Sequence, residues 1–313
     1  MCDTSHATSN DSPSPTLVGV AASETMADAL ATPELAVRFG ELLRPERLGE
    51  RVEALREHKL AELSAIADRM PNSDVARELG LLRDPEVSQR WLALAADVAR
   101  TVRIAGDEAV SETHGPLVFE GAQGVLLDED FGFHPFTTWS RCTPNGAHQL
   151  LSRIGWSRPM ETVGVLRAYA VRHGPGPLPT EDALVAARTS ERHNHTGPWQ
   201  GPVRKGWLDL VLLSYAIRAC GGVDALALTH LDAVPALAPY RWCERYTQLQ
   251  QLELPRSLDE QAALTQQLFA AQPHYAGLSD ATPEALCRQL SERAAVPVRY
   301  GSAGPSSRTT TER

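Results

Sequence analysis

The 313-residue sequence is poor in lysine and contains no long basic run and no long apolar run. Its only lysines are Lys59 and Lys205, so arginine supplies 28 of the 30 basic residues, and 39 acidic residues give a net charge of −9. This balance argues against general nucleic-acid binding. The apolar stretches fall short of the roughly 18 residues that a membrane helix needs, and the polar N-terminus lacks the apolar core of a signal peptide. We therefore predict a soluble, cytoplasmic protein that binds neither nucleic acid nor membrane.

Cysteine usage and glycine-rich motifs exclude further classes. The five cysteines, at positions 2, 142, 220, 243 and 287, are an odd number and include no C-x-x-C pair. Neither a disulfide framework nor a structural zinc site is predicted. Neither lysine follows a glycine-rich loop. The composition, with 42% apolar and 22% charged residues, is that of a globular protein with room for one large or two modest domains.

Changes in local composition and in the spacing of apolar residues indicate how the chain is organised. Residues 1–16 are rich in Ser, Thr and Pro, which predicts a disordered leader, and we expect an ordered domain over residues 17–313. Apolar residues recur at helical spacing from Pro45 to Met70 and from Pro85 to Ala105. A helical subregion over about residues 45–110 is therefore predicted.

The remainder alternates strand-like and helix-like segments. Short, nearly continuous apolar runs are typical of buried parallel strands, and helical segments lie between some of them. The fold class predicted is α/β, with a mostly parallel sheet and flanking helices. The predicted strands are 117–119, 163–166, 225–229 and 296–300, and the predicted helices are 208–219 and 283–294.

The most informative motif is VFEGAQGVLLD, from Val118 to Asp128. It resembles the FEGAQGxLLD segment of the adenylosuccinate synthetase family, GTP-dependent ligases that join aspartate to inosine monophosphate (IMP). The resemblance implies a P-loop-NTPase-like sheet that lacks the family's first strands, and a cytoplasmic homodimer in purine (AMP) biosynthesis. Further similar blocks follow in the family's order: 133–138, 165–169 with 174–181, 206–209, 228–232 and 301–305.

On the acceptor side the resemblance implies that Gln123, Thr138 and Arg204 bind IMP. A Gln between two glycines can offer a donor and an acceptor to a nucleotide, and an Arg fork can hold a carboxylate or phosphate. The plainer alternatives are an exposed Gln in a glycine turn and a solvated Arg in a surface loop. Residues 139–143 and the loop 194–205 depart from the family pattern, so the acceptor pocket is expected to differ.

On the nucleoside triphosphate side, Asp232 follows an apolar run at a predicted strand end. A carboxylate there can accept hydrogen bonds from N1–H and the 2-amino group of guanine, which adenine cannot supply. The plainer alternative is an Asp that caps the following turn. The resemblance implies a GTP site made of His230, Leu231, Asp232, Ser302, Ala303 and Gly304.

The family's catalytic motifs have no counterpart in residues 1–30. Neither its GDEGKGK phosphate loop nor its GHT segment is present there, so no catalytic residue is assigned on this chain. Mg²⁺ is implied by the family, but its ligands are missing and no metal-binding residue is predicted. Three hypotheses stay open: a synthetase whose catalytic half is lost to a late start or a split gene, a nucleotide-binding pseudoenzyme, and a divergent aspartate–nucleotide ligase.

Overall fold

The computed structural model describes residues 20–69, 72–112, 114–190, 201–247, 249 and 251–312. Within these ranges the chain forms two compact units, over residues 21–117 and 118–312. The predicted leader, residues 1–16, lies outside the described residues. The predicted single domain over residues 17–313 stays a prediction.

The first unit is helical. The predicted helix from Pro45 is confirmed, but it ends at Ile66 and is followed by a short 3-10 helix. The predicted helix from Pro85 is also confirmed and ends at Thr101; the Asp84 carboxylate caps it by accepting the backbone N–H of Glu86 at 2.9 Å. The helices of this unit are α1 (Val20–Ala31), α2 (Pro45–Ile66), α3 (Asn72–Arg83), α4 (Pro85–Thr101) and α5 (Glu108–Ser111).

The second unit contains three small sheets, in the orders β1-β5-β8-β9, β2-β3 and β4-β6-β7. In the first sheet β1, β5 and β8 are parallel and β9 is antiparallel. The strands are β1 (Val163–Arg167), β2 (Ala170–His173), β3 (Val203–Gly206), β4 (Leu208–Asp209), β5 (Ala225–Thr229), β6 (Arg241–Tyr246), β7 (Pro273–Gly277), β8 (Val298–Ser302) and β9 (Thr310–Glu312). The helices are α6 (Asn145–Arg153), α7 (Ala183–Arg188), α8 (Leu210–Ala219), α9 (Leu258–Phe269) and α10 (Pro283–Ala294).

The α/β class is confirmed, with corrections to individual elements. The strand predicted over residues 117–119 is wrong: no described residue pairs with this segment, and Val118 is 88% exposed. A strand needs a neighbour for its backbone hydrogen bonds, so an apolar run alone does not make one. The strand predicted over 296–300 lies at 298–302, and the helix predicted from Leu208 begins at Leu210.

Two apolar cores hold this unit together. One packs β5, β8 and α10 around Leu226, Leu228 and Leu286. The other packs α8 against α9 around Tyr215 and Leu268. β1 lies at the edge of its sheet, and Val165 is therefore 72% exposed, unlike the fully buried strand that its sequence predicts. No helix in the described part of the chain has the length and apolarity to cross a membrane.

Candidate functional site

The carboxyl ends of β5 and β8 bring two of the predicted segments together. The strands are parallel and adjacent, with Leu228 opposite Gly301, so residues 230–232 and 302–304 both follow at the same edge of the sheet. Ligands of open α/β sheets bind at this edge. The structure therefore makes neighbours of two segments that are about seventy positions apart in sequence.

Asp232 is the exposed acidic group of this edge. It lies in the 3-10 helix Leu231–Ala233, and no side chain caps that helix. The Asp232 carboxylate forms no hydrogen bond or ion pair with any described residue. The turn-cap alternative is therefore not what the structure shows, and the carboxylate is available to a ligand. Leu231, by contrast, is only 1% exposed and its side chain belongs to the apolar core.

His230 turns the chain at the end of β5. It adopts a left-handed backbone conformation, with φ 57°, which is uncommon for a residue other than glycine. Its Nδ1 lies 3.1 Å from the Thr229 hydroxyl, and its ring packs edge-on against Tyr169 at 5.6 Å. Such backbone strain is frequent where a site dictates the chain path.

The segment after β8 is a tight turn. The Ser302 hydroxyl donates to the Gly304 carbonyl at 3.0 Å, and the Ala303 N–H donates to the Thr309 carbonyl at 3.0 Å. A Cβ placed on Gly304 would lie 3.2 Å from the Thr309 hydroxyl. The turn is thus held by its own hydrogen bonds, and its side chains are small.

Arg204 lies on β3, which pairs antiparallel with β2. Residues 174–202, which include α7, connect the two strands, and the strand pair is called the β2–β3 hairpin below. The Arg204 Nε donates to Glu181 at 2.9 Å, Nη2 pairs with the same carboxylate, and Nη1 donates to the Gly176 carbonyl at 2.7 Å. The solvated-loop alternative is therefore wrong, because this guanidinium is held by the protein. An anion that binds Arg204 must share it with Glu181.

Arg172 is the residue that sequence reasoning missed. It faces Arg204 across the antiparallel hairpin and is 7% exposed. Its Nε donates to the Pro175 carbonyl at 2.8 Å and its Nη2 to the Phe136 carbonyl at 3.0 Å. Burial, reinforced by the charge of Arg204, lowers the pKa of Arg172 to about 10. The signal in the sequence was an arginine directly before a glycine- and proline-rich turn.

Thr138 belongs to a loop that Asp128 organises. The buried Asp128 carboxylate accepts the backbone N–H groups of Asp130 at 2.9 Å and of Cys142. Thr138 donates its own N–H to the Leu127 carbonyl at 2.8 Å, and its side chain is fully buried. Its hydroxyl accepts from Ser140 at 3.4 Å. Ligand contact by this side chain stays a prediction.

Gln123 lies close in sequence to a backbone hydrogen bond of the Thr138 loop. It precedes the 3-10 helix Val125–Leu127, whose last carbonyl binds Thr138. Gln123 is half-buried and its amide makes no hydrogen bond with a described residue. A Cβ on Gly124 would meet no atom within 4 Å, so open space lies beside the Gln. The structure links the segments of Gln123, Thr138 and Arg204, whereas their convergence on one ligand stays a prediction.

Asp209, which follows the hairpin, is a structural carboxylate. Its Oδ1 accepts the N–H groups of Val211 at 3.0 Å and Leu212 at 3.1 Å, which caps α8, and Oδ2 accepts the Tyr246 hydroxyl at 2.6 Å. Burial raises the pKa of Asp209 to about 6, although these hydrogen bonds act in the opposite direction. Its role is to start α8 at Leu210.

Comparison with known proteins settles the family. A sequence model of adenylosuccinate synthetase matches residues 16–310. The chain belongs to the adenylosuccinate synthetase family. The adenylosuccinate synthetases of Neisseria gonorrhoeae and Dehalococcoides mccartyi are 32% identical over 213 residues and 34% identical over 216 residues, which cover 67% and 68% of this chain.

The solved structure of the fully ligated adenylosuccinate synthetase from Plasmodium falciparum shares the fold. It superposes with a TM-score of 0.63 at 20% identity, over 92% of this chain and 68% of that one. The matches to the two bacterial adenylosuccinate synthetases cover 47% and 48% of those proteins. The chain thus spans about half the length of the curated relatives it matches.

The metal that the adenylosuccinate synthetase family implies has no ligand set in the described part of this chain. No group of three or more His, Cys, Asp or Glu side chains there could hold a metal ion. These residues do not fit a protein-held Mg²⁺, so no chemical step is assigned through it.

The loop 194–205, whose sequence departs from the family pattern, lies partly in residues 191–200, which are outside the described residues.

Proposed function

We propose that this chain is an adenylosuccinate synthetase-like protein that binds the substrates of GTP-dependent ligation of aspartate to IMP, and that it has no turnover alone. The single observation that carries the proposal is that Asp232 and the Ser302–Gly304 turn follow adjacent parallel strands at the carboxyl edge of β5 and β8. The same proposal includes a cytoplasmic location and a homodimer, which rest on the family resemblance.

The Asp232 carboxylate supports a guanine site. It is exposed and has no partner among the described residues, so its two oxygens are free to accept N1–H and the 2-amino group of guanine. Adenine offers no matching pair of donors, so the geometry selects the base. The Ser302–Gly304 turn beside it has only small side chains.

The hairpin supports the acceptor side. Arg172 and Arg204 place two guanidinium groups around the turn Gly174–Gly176, and Glu181 pairs with Arg204. Excess positive charge of this kind suits a phosphate, and Gln123 is proposed as a further donor and acceptor for the same ligand. IMP is the acceptor that the family resemblance favours.

Calorimetry with GDP and ADP tests the guanine site. We expect GDP to bind more tightly than ADP, and Asp232→Asn to weaken GDP binding by at least about tenfold while leaving ADP unchanged. Asp259→Asn is the matched control, because it removes another exposed carboxylate, from the first turn of α9. Equal affinity for GDP and ADP would rule out the assignment of Asp232.

A coupled assay with IMP, aspartate, GTP and Mg²⁺ tests the absence of turnover. The chemistry needs neutralisation of phosphoryl charge, and the motifs that supply it in the family have no match in residues 1–30. Turnover near one per second, an ordinary enzyme rate, would contradict this part of the proposal. Guanine-selective binding without turnover would favour the incomplete synthetase and the pseudoenzyme over the divergent ligase.

A further inference from the structure

The two faces of the β2–β3 hairpin carry different residues. Arg172 lies opposite Arg204, and the pairs Val171–Lys205 and His173–Val203 flank them in the antiparallel register. Successive side chains of a strand point to opposite faces. The arginines therefore share one face, and Lys205 and His173 share the other. Lys205 and His173 are diagonal neighbours on adjacent strands, a relation that typically separates residues by about 7–8 Å.

Lys205 is a buried cation that forms no ion pair with a described residue. It is 7% exposed, and its Nζ donates to the Thr189 carbonyl at 2.6 Å. No described residue adds a carboxylate to this ammonium group. Thr189 ends α7, so its carbonyl stabilises a cation, but one carbonyl satisfies only one of three N–H donors. Buried charges in proteins are normally paired.

His173 adds an unpartnered polar atom to the same face. Its Nε2 is shielded from solvent and has no hydrogen-bond partner in the described structure. Leaving a buried donor or acceptor unpaired destabilises the fold, and such groups call for an explanation such as a bound ion. One bound anion would satisfy both the unpartnered imidazole nitrogen and the ammonium group of Lys205.

We propose that Lys205 and His173 form a binding site for a small oxyanion, a phosphate or a carboxylate group, on the hairpin face opposite Arg172 and Arg204. An oxyanion would neutralise the Lys205 ammonium and accept its remaining N–H groups. It would also accept a hydrogen bond from Nε2 when that nitrogen carries the proton. The site does not depend on the proposed ligase function, because it follows from the charge and hydrogen-bond inventory of this face.

The test uses the full chain with inorganic phosphate and with succinate, each compared with sodium chloride at equal ionic strength. Thermal unfolding and calorimetry report binding. We expect at least one of the two anions to raise the midpoint of unfolding, because a ligand that binds only the folded state stabilises it. The anion that binds more tightly identifies the group that the site recognises.

Three variants assign the binding to this face. Lys205→Met should abolish the anion effect, and Lys59→Met, which changes the only other lysine, should preserve it. His173→Val places valine opposite Val203 and should weaken anion binding about tenfold, because it removes one hydrogen bond to a charged group. If Lys205→Met does not fold, His173→Val tests the proposal in its place.

Three outcomes would overturn the proposal. The wild-type protein binds neither anion; or His173→Val and Lys205→Met both bind as tightly as wild type; or Arg204→Ala alone removes the entire effect, which would assign the anion to the opposite face. Failure of guanine binding at Asp232 would leave these results unaffected, so the two proposals are tested separately.

Discussion

Charged side chains are exposed at the carboxyl edge of β5 and β8 but buried on the β2–β3 hairpin. At the edge, the Asp232 carboxylate is exposed and has no partner in the described part of the chain. On the hairpin, Arg172 and Lys205 are buried and held by backbone carbonyls. We expect the edge to lose this charge without loss of stability, whereas the buried charges of the hairpin, and Asp209 after it, also hold the fold through hydrogen bonds. Changes of similar chemistry should therefore have very different effects on stability.

The largest effect is expected for Arg172→Met. It removes the donors of the Phe136 and Pro175 carbonyls, which lie in different segments of the unit. We expect the free energy of unfolding to fall by about 4 kcal/mol, as for two buried hydrogen bonds to a charged group. Urea unfolding measures it.

The control for Arg172→Met is Arg100→Met on α4. Arg100 is an exposed residue in a surface ion pair with Asp97, and its loss should change stability by less than about 0.5 kcal/mol. Equal effects of the two variants would mean that the hairpin charges do not support the fold.

Asp209 is expected to make stability depend on pH. Its pKa is about 6 in the folded protein against 3.8 as the reference, so the folded state binds more protons between these values. Stability should therefore fall as pH rises from about 4 to about 6, by up to about 3 kcal/mol from this group. Asp209→Asn should flatten that part of the profile, since the amide keeps a capping oxygen for α8.

Urea unfolding between pH 4 and pH 7 measures the Asp209 contribution as the difference between wild type and variant. Asp259→Asn serves as the exposed control and should leave the slope unchanged. A slope that is the same in wild type and Asp209→Asn would show that Asp209 does not take up this proton.

The smallest effect is expected for Asp232→Asn on stability. The carboxylate has no partner among the described residues, so the free energy of unfolding should change by less than about 0.5 kcal/mol. Thermal and urea unfolding without nucleotide measure this. A loss of several kcal/mol would show that Asp232 supports the fold, and the contrast with the hairpin would disappear.

The sequence predicted the elements that have strong local signals. The helix predicted over 283–294 is α10, which the structure shows to be capped by Thr282, and the nearly continuous apolar run 225–229 is β5. Residues 117–119 are also an apolar run, but they pair with no strand among the described residues. Strand pairing depends on the whole fold, so a short stretch of sequence does not reveal it.

The candidate site shows the same division. The family resemblance grouped Asp232 with Ser302, and the structure makes their segments neighbours because both follow adjacent parallel strands. The partners of Arg172 could not be predicted, since the Phe136 carbonyl lies 36 positions away and carries no side-chain signal. The burial of Thr138 likewise depends on the Asp128 loop around it.

The parallel pairing of β1 with β5 also bears on how fast the second unit can form. The backbone N–H of Thr162 donates to Asp224, 62 positions later, just before the two strands pair. Closing so long a segment loses chain entropy before any strand contact compensates it. Each helix of the first unit, by contrast, forms backbone hydrogen bonds between residues only four positions apart. Refolding should therefore show a fast rise in helical signal, followed by a slower phase in which Trp207 and Trp242 enter the core.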